Sequence, residues 1–163
     1  MRWSPIQKFS NALRIVLQYG NDILLSKGMQ SSKQYIQHGN ISVYDHSVNV
    51  AILSVWLADR LHMQVNTRAL VTGALLHDYF LYDWHIRSED HRWHGFHHPK
   101  RAFQNAQRDF RIGEIEGNMI LSHMFPLCPI LPTHLESWIL YLSDKLCAIG
   151  ETLFKQCLIP AET

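Results

Sequence analysis

The sequence predicts a single all-α domain, a helical bundle of about six to eight helices. Apolar residues recur at spacings of three and four through most of the chain, which is the period of an amphipathic helix. No run of strictly alternating apolar and polar residues stands out, and no Asn-Gly or Asp-Gly pair indicates a hairpin turn. The 163 residues suit one domain with one hydrophobic core.

Breaks in the helical period place the individual helices. We expect Gly20, Gly28 and Gly39 to end the first three helices and Asn66 to cap the fifth. Residues 82–97 lose the period, which predicts an irregular loop of a length that is typical of functional segments. The predicted helices cover about 2–19, 21–27, 31–38, 43–62, 67–81, 99–110, 113–124 and 134–155.

The domain is expected to have two parts. The N-terminal helices, residues 1–38, cover the bundle, and residues 40–155 form its core. On the last helix, the main apolar stripe consists of Leu135, Ile139, Leu142, Leu146, Ile149 and Leu153.

The overall composition argues against several function classes. The formal net charge is +1 and 18% of the residues are charged, so no strongly basic surface for nucleic acid is predicted. No uninterrupted apolar run reaches the ~18 residues needed to span a bilayer, and no membrane association is expected. The three cysteines lack CxxC spacing, which favours a reduced, cytoplasmic protein.

Histidine is unusually frequent. The chain contains eleven, a density that favours metal or phosphate chemistry over packing. Five of them cluster in the predicted loop and at its end: His85, His91, His94, His97 and His98.

Ionisable residues also occur on apolar helix faces. His46, the pair His77 and Asp78, His123 and Asp144 each have apolar neighbours one helical turn away. Any one such histidine is more often satisfied by a local hydrogen bond. Two buried aspartates with three inward histidines, however, require compensating charge. A divalent cation supplies that charge, and mixed imidazole and carboxylate ligands suit Fe, Mn, Zn, Co or Ni.

These residues resemble a known signature. His46 in YDHSVNVA, His77-Asp78 in ALLHDYF and Asp144 in LYLSDKL are similar to the H…HD…D motif of the HD-domain superfamily of metal-dependent phosphohydrolases. The resemblance covers residues 40–150. It implies an all-α fold with a metal site at the centre of the bundle, where the four motif residues form the first site.

Dinuclear members of this superfamily add histidines between the HD pair and the last Asp. The resemblance therefore implies a second site formed by His98 in HHPKRAF and His123 in LSHMFPL, with Asp78 bridging two ions. His97 is the alternative to His98, which is preferred because Pro99 would start a helix whose first turn projects His98 inward. Two divalent transition-metal ions are expected, Fe or Mn first, with Zn, Co and Ni as alternatives.

The residues next to the motif indicate which members of the superfamily this chain resembles more. Cyclic-dinucleotide phosphodiesterases of the superfamily carry a small residue, Gly and Lys after the HD pair, whereas this chain has Tyr79-Phe80-Leu81. They also have a pair of histidines later in the chain, whereas here His123 is single and Met124 follows it. The HDY beginning and the short domain are closer to bacterial dinuclear HD hydrolases of diadenosine polyphosphates. Those enzymes carry a Lys soon after HDY, which this chain lacks.

The expected function is a metal-dependent phosphohydrolase that cleaves a phosphate ester or anhydride of a small molecule, with a nucleotide as the expected substrate. Two ions about 3.5–4 Å apart activate a water as hydroxide, which attacks phosphorus. Asp78 and Lys145 are the predicted catalytic residues. Lys145, His94, Arg101 and Trp84 are the predicted substrate-binding residues, although Lys145 also fits a surface lysine and Trp84 a residue that pins the loop to the core.

The sequence is also compatible with two other functions. One is a regulatory HD domain that binds a nucleotide without turnover, and the other is a di-iron oxygenase on the same kind of scaffold. The apolar stripe of residues 1–38 either covers the bundle or contacts a second copy in a homodimer.

Overall fold

The protein folds as a bundle of helices, and the all-α prediction is confirmed. The structure, a computed structural model, describes residues 5–85 and 94–154, with side chains for residues 9–85 and 95–153. Among these residues the α-helices are α1 (Pro5–Leu24), α2 (Lys27–Ser31), α3 (Val43–Arg60), α4 (Thr67–Leu76), α5 (His94–Asp109), α6 (Glu114–Ser122) and α7 (Leu135–Phe154).

Helices α3 and α4 form the centre of the bundle. Helix α3 packs against α1, α4 and α7, while α4 also contacts α1 and α6, and α5 lies on α6. Aliphatic side chains such as Val50, Leu70, Leu75 and Leu140 are completely buried between them. Removal of this apolar surface from water is the main source of stability. No helix of the described residues combines the length and the apolar character required to cross a bilayer.

The first helix is longer than predicted. Residues 2–19 and 21–27 were expected to form two helices separated at Gly20, but α1 runs through Gly20 to Leu24. A Cβ at Gly20 would overlap the side chain of Leu75 on α4. This glycine therefore allows two helices to approach closely instead of ending one.

A hairpin replaces the helix predicted over 31–38, and this prediction was wrong. After α2 and a 3₁₀ turn (Ser32–Gln34), strands β1 (Ile36–His38) and β2 (Ile41–Ser42) pair in antiparallel fashion. Gly39, at φ 58°, lies in the left-handed region that glycine adopts without steric cost. The hairpin carries Gln37 to a buried position near the end of α4.

Helix α4 ends at Leu76, before the predicted end near Leu81. The amide of Tyr79 donates to the carbonyl of Leu76, three residues back, at 3.1 Å, and the amide of Phe80 donates to the carbonyl of Asp78 at 2.8 Å. These tighter turns replace the i−4 bonds that would continue the helix. Asp78 thus follows the helix in a turn.

Helix α5 begins at His94, so the predicted loop is shorter and Pro99 lies inside a helix. Proline has no N–H for the carbonyl four residues back, which is that of Gly95. The thiol of Cys128 donates to this carbonyl at 3.7 Å and to that of Phe96 at 3.4 Å. Pro99 therefore leaves the carbonyl of Gly95 without its helical hydrogen bond, and Cys128 supplies a donor in its place.

Only part of the predicted loop can be described. Residues 82–85 are irregular, and residues 86–93, which include His91, lie outside the described residues.

The main apolar stripe of α7 faces away from the core, apart from Ile139. Its other members are 41–70% exposed. The buried face of α7 instead carries Leu140, Ser143, Asp144 and Glu151. The ionisable residues of this face, Asp144 and Glu151, belong to the site described next.

Candidate metal centre

The candidate centre lies where the ends of several helices meet. His46 comes from the first turn of α3, which Ser42 caps by accepting the amide of Asp45 at 3.0 Å. A capped first turn has a defined direction, and it aims the His46 ring at Asp144 on α7. All six residues predicted as ligands are buried: His46, His77, Asp78, His98, His123 and Asp144.

Two of the histidines are placed by the same local device. His77 is the C-cap of α4 and His123 the C-cap of α6. The Nδ1 atom of His77 donates to the carbonyl of Ala74 at 2.8 Å, and that of His123 to the carbonyl of Ile120 at 2.7 Å. A proton on Nδ1 leaves the lone pair on Nε2. Both rings therefore point Nε2 toward the centre, where its lone pair can bind a metal ion.

The two oxygens of Asp78 face different groups of side chains. Its Oδ2 atom lies 3.4 Å from Nε2 of His77 and 3.8 Å from Nε2 of His46. Its Oδ1 atom lies 3.2 Å from Nε2 of His98 and 3.5 Å from Nε2 of His123. Asp78 thus stands between two clusters of potential ligands.

The donor atoms are spaced as an ion requires. Neighbouring ligand atoms at ~2.0–2.2 Å from one ion are about 3.0–3.5 Å apart. In the first cluster, Oδ1 of Asp144 is 3.1 Å from Nε2 of His46 and 3.8 Å from Nε2 of His77. In the second, Nε2 of His98 and Nε2 of His123 are 2.9 Å apart. The 3.8 Å separation is slightly longer and the 2.9 Å separation slightly shorter than this range, so both clusters are close to the spacing that metal coordination requires.

Unsatisfied atoms support the same interpretation. Nε2 of His77 and Oδ1 of Asp78 are buried and form no hydrogen bond with any described residue. A buried polar atom without a partner costs about 1–3 kcal/mol. A bound cation would satisfy both atoms.

The family follows from comparison with known proteins. The family model of the HD domain matches residues 43–149, which include all six clustered residues. The chain belongs to the HD-domain family. No curated protein and no solved structure was found to match it. HD domains are typical of metal-dependent phosphohydrolases, and the clusters described above could hold metal ions. A third group that could hold an ion, His38, His46 and Glu151, shares His46 with the first cluster.

Charge in the first cluster is balanced within the HD domain itself. Burial alone would lower the pKa of His46, but its hydrogen bonds to Asp144 and Glu151 raise that pKa to about 9. Burial likewise opposes the charged form of His77, yet the charge of Asp78 raises its pKa to about 10. Without a cation, these two imidazolium charges offset two of the three buried carboxylates, Asp78, Asp144 and Glu151, and Lys145 pairs with Asp144 at 2.8 Å. A divalent ion would carry the same charge as the two imidazolium rings.

The aspartates and the second cluster complete this pattern. Burial alone would raise the pKa of Asp78 and of Asp144, but the adjacent histidines hold both well below the usual range. Burial lowers the pKa of His123 to about 4. His123 is thus neutral at pH 7, as a metal-ligating imidazole must be.

Three residues near the centre were not predicted from the sequence. Glu151, which is fully buried, accepts a hydrogen bond from Nδ1 of His46 at 2.8 Å. Nε2 of Gln37 donates to Oδ2 of Asp78 at 2.5 Å. His38 lies edge-on to the ring of His46 at 5.4 Å between centroids.

The sequence indicates these three residues to different degrees. Glu151 follows Asp144 by seven residues, which is two helical turns on the same face and could have been noticed. Gln37 and His38 depend on a hairpin that the sequence did not reveal. All three lie outside residues 43–149, the range that the family model matches.

A cavity of about 200 Å³ opens onto the centre. Lys145 lines it, with Nζ 2.8 Å from Oδ2 of Asp144 and 3.5 Å from Sδ of Met124. Trp84 also lines it. The cavity is lined by Gln37, His38, Asp78, Trp84, Gly95, His98, His123, Met124, Asp144, Lys145 and Ala148.

The other predicted residues are placed differently. Arg101 is exposed, with its guanidinium 5.0 Å from the centre of the Tyr82 ring, and it is not among the residues that line the cavity. His97 is exposed, whereas its neighbour His98 is 4% exposed and belongs to the second cluster. His94 is the first residue of α5, and its side chain lies outside the described part of the chain.

Proposed function

We propose that this HD domain is a metal-dependent phosphohydrolase with two divalent transition-metal ions bridged by Asp78. The observation that carries the proposal is the position of Asp78, whose two oxygens face separate clusters at 3.2–3.8 Å. Two-metal hydrolysis requires two ions close together, and one carboxylate that faces both clusters would hold them so. The substrate we propose is a small phosphate ester or anhydride, with a nucleotide as its class.

Each ion has its own ligands in this proposal. His46, His77 and Asp144 together with Asp78 would hold the first ion, and His98 and His123 together with Asp78 would hold the second. The nitrogen and oxygen donors suit Fe or Mn, and also Zn, Co or Ni. The residues of the second cluster, Asp78, His98 and His123, line the cavity, so an ion held there would be accessible to substrate and water.

The protein's own residues supply the remaining parts of the mechanism. When bound, divalent ions neutralise phosphate charge and lower the pKa of water. Lys145 lines the cavity, and its ammonium group would bind a phosphate oxygen. Gln37 holds the bridging carboxylate by its hydrogen bond to Oδ2 of Asp78. Trp84 offers an aromatic wall for the organic part of the substrate.

The proposal can be tested on the purified protein. Bound metals are measured by elemental analysis. Nucleotides, phosphomonoesters, dinucleoside polyphosphates and cyclic dinucleotides are then offered with Mn or Fe. We expect phosphate or nucleotide release that disappears in Asp78→Ala and persists in Asp59→Ala, a matched control at an exposed position of α3.

Three results would contradict the proposal. Release that persists in Asp78→Ala would show that the activity does not depend on this centre. Tight nucleotide binding without turnover would indicate a regulatory domain. Consumption of a substrate that requires dioxygen would indicate an oxygenase.

A further inference from the structure

Helix α7 presents an apolar face to solvent. Every residue from 135 to 153 that is exposed, apart from Thr152, is a large apolar side chain. The spacing between successive members is three or four residues, so they form one continuous stripe along the helix. We call this the α7 stripe; it consists of Leu135, Trp138, Leu142, Leu146, Ile149 and Leu153.

The α7 stripe is large for a surface that stays in water. At roughly 200 Å² of accessible surface for a large apolar residue, six residues that are about half exposed present on the order of 600 Å². The largest apolar patch on a typical monomer is about 300–600 Å². A standard interface buries about 800 Å² from each partner. The stripe alone would supply most of that area.

The charges on α7 indicate what kind of partner would bind the stripe. Lys145 is the single basic residue of α7, and it is paired with Asp144 at 2.8 Å. A helix that lies on an anionic membrane carries several Lys or Arg residues along its polar face. A charged protein partner would likewise require complementary charge, which the α7 stripe does not offer. The stripe therefore matches another uncharged apolar face.

We infer that the α7 stripe is the interface of a homodimer, in which α7 of one chain packs against α7 of a second copy. The alternation of three- and four-residue spacings is the pattern by which two helices pack at a shallow angle. An isologous dimer brings the same face from both chains together, so a single stripe serves both sides. This inference does not depend on the proposed catalytic activity.

The interface would adjoin the metal centre. Lys145 and Ala148 line the cavity, and both lie on α7 between successive members of the stripe. The second copy would thus stand beside the cavity mouth.

The test is the mass of the full chain in solution, measured by size-exclusion chromatography with light scattering over a range of concentrations. We expect twice the monomer mass of 19.0 kDa. Leu142→Glu should shift the protein to monomer. Leu17→Glu on α1 is the matched control, because the side chains of Leu17 and Leu142 have the same exposed fraction, 47%. We expect the Leu17→Glu variant to remain dimeric.

The outcomes are separable from loss of folding and of activity. Both variants replace exposed side chains, and circular dichroism should show a helical content close to that of the wild type in each. A wild-type protein that is monomeric at all concentrations would overturn the inference. A dimer that dissociates in both variants, or in neither, would also overturn the inference.

Discussion

Glu151 and His46 form a pair that is completely removed from solvent, with Oε2 of Glu151 2.8 Å from Nδ1 of His46. Nδ1 of His77 and of His123 each donates to a backbone carbonyl three residues earlier in the chain. His46 is instead oriented by a carboxylate. A carboxylate fixes the ring more strongly and increases the basicity of its other nitrogen.

Glu151→Gln should weaken metal binding at the first cluster without unfolding the protein. The amide keeps the shape of the side chain but loses the negative charge that polarises His46. Loss of such an outer partner lowers metal affinity about 10–100-fold. The measurement is competition with a chelator. Glu136→Gln is the control, because Glu136 is also buried on α7 but accepts the amide of Asn66. Equal affinity in both variants would contradict the assigned role.

Asp78→Asn and Asp144→Asn should have different effects on metal content. Asp78 faces both clusters, whereas Asp144 belongs to the first. After dialysis, we expect two ions per chain in the wild type, one in Asp144→Asn and a loss at both positions in Asp78→Asn. Elemental analysis gives the stoichiometry. Retention of two ions by Asp78→Asn would show that this carboxylate does not bridge them.

Metal should stabilise the folded protein. An ion that binds the native state at about 100 times its dissociation constant adds about 2.7 kcal/mol to the free energy of unfolding. For a chain of this size, that corresponds to a rise in Tm of roughly 5–10 °C. Calorimetry on chelator-treated protein, with and without added Mn or Zn, measures the rise. Asp78→Ala should show little of it, and an equal rise in this variant would place the stabilising ion elsewhere.

Gly28→Ala should destabilise the fold by pushing on the residue that follows the HD pair. A Cβ at Gly28 would overlap the hydroxyl of Tyr79 and lie 2.6 Å from its Cζ. Tyr79 is buried and donates to Asp109 at 3.0 Å. Overpacking costs about 1–3 kcal/mol, partly offset by the ~1 kcal/mol gain in helix propensity.

A double-mutant cycle isolates this clash. Tyr79→Phe removes the hydroxyl, so Gly28→Ala should cost less in that background than in the wild type when both are measured by chemical denaturation. Equal costs would mean that α2 shifts away from Tyr79 instead of clashing with it.

The sequence indicated the centre because buried charge is conspicuous. Each of five residues interrupts the apolar face of a helix predicted from the sequence, and the structure brings them together with His98. They are His46, His77, Asp78, His123 and Asp144. These interruptions are visible one helix at a time, so no knowledge of the packing was required. The order of the motif along the chain then identified the family.

The features that the sequence missed depend on packing between elements. Gly20 was interpreted as a helix end because its close contact with Leu75 on α4 is not visible along the chain. The α7 stripe is the larger apolar face of its helix, yet it faces solvent because the opposite face holds Asp144 and Glu151 in the centre. Hydrophobic periodicity cannot identify the inward face when that face is built for ions.

The pairing of His46 with Glu151 spans 105 positions of the chain. A ribosome therefore has to release α7 before the first cluster can exist, by which time the earlier helices have emerged. On the proposed function, the ion of the first cluster would therefore be acquired by a nearly finished polypeptide and would not guide its early collapse. Metal added during refolding would then raise the occupancy of this cluster with little effect on the folding rate.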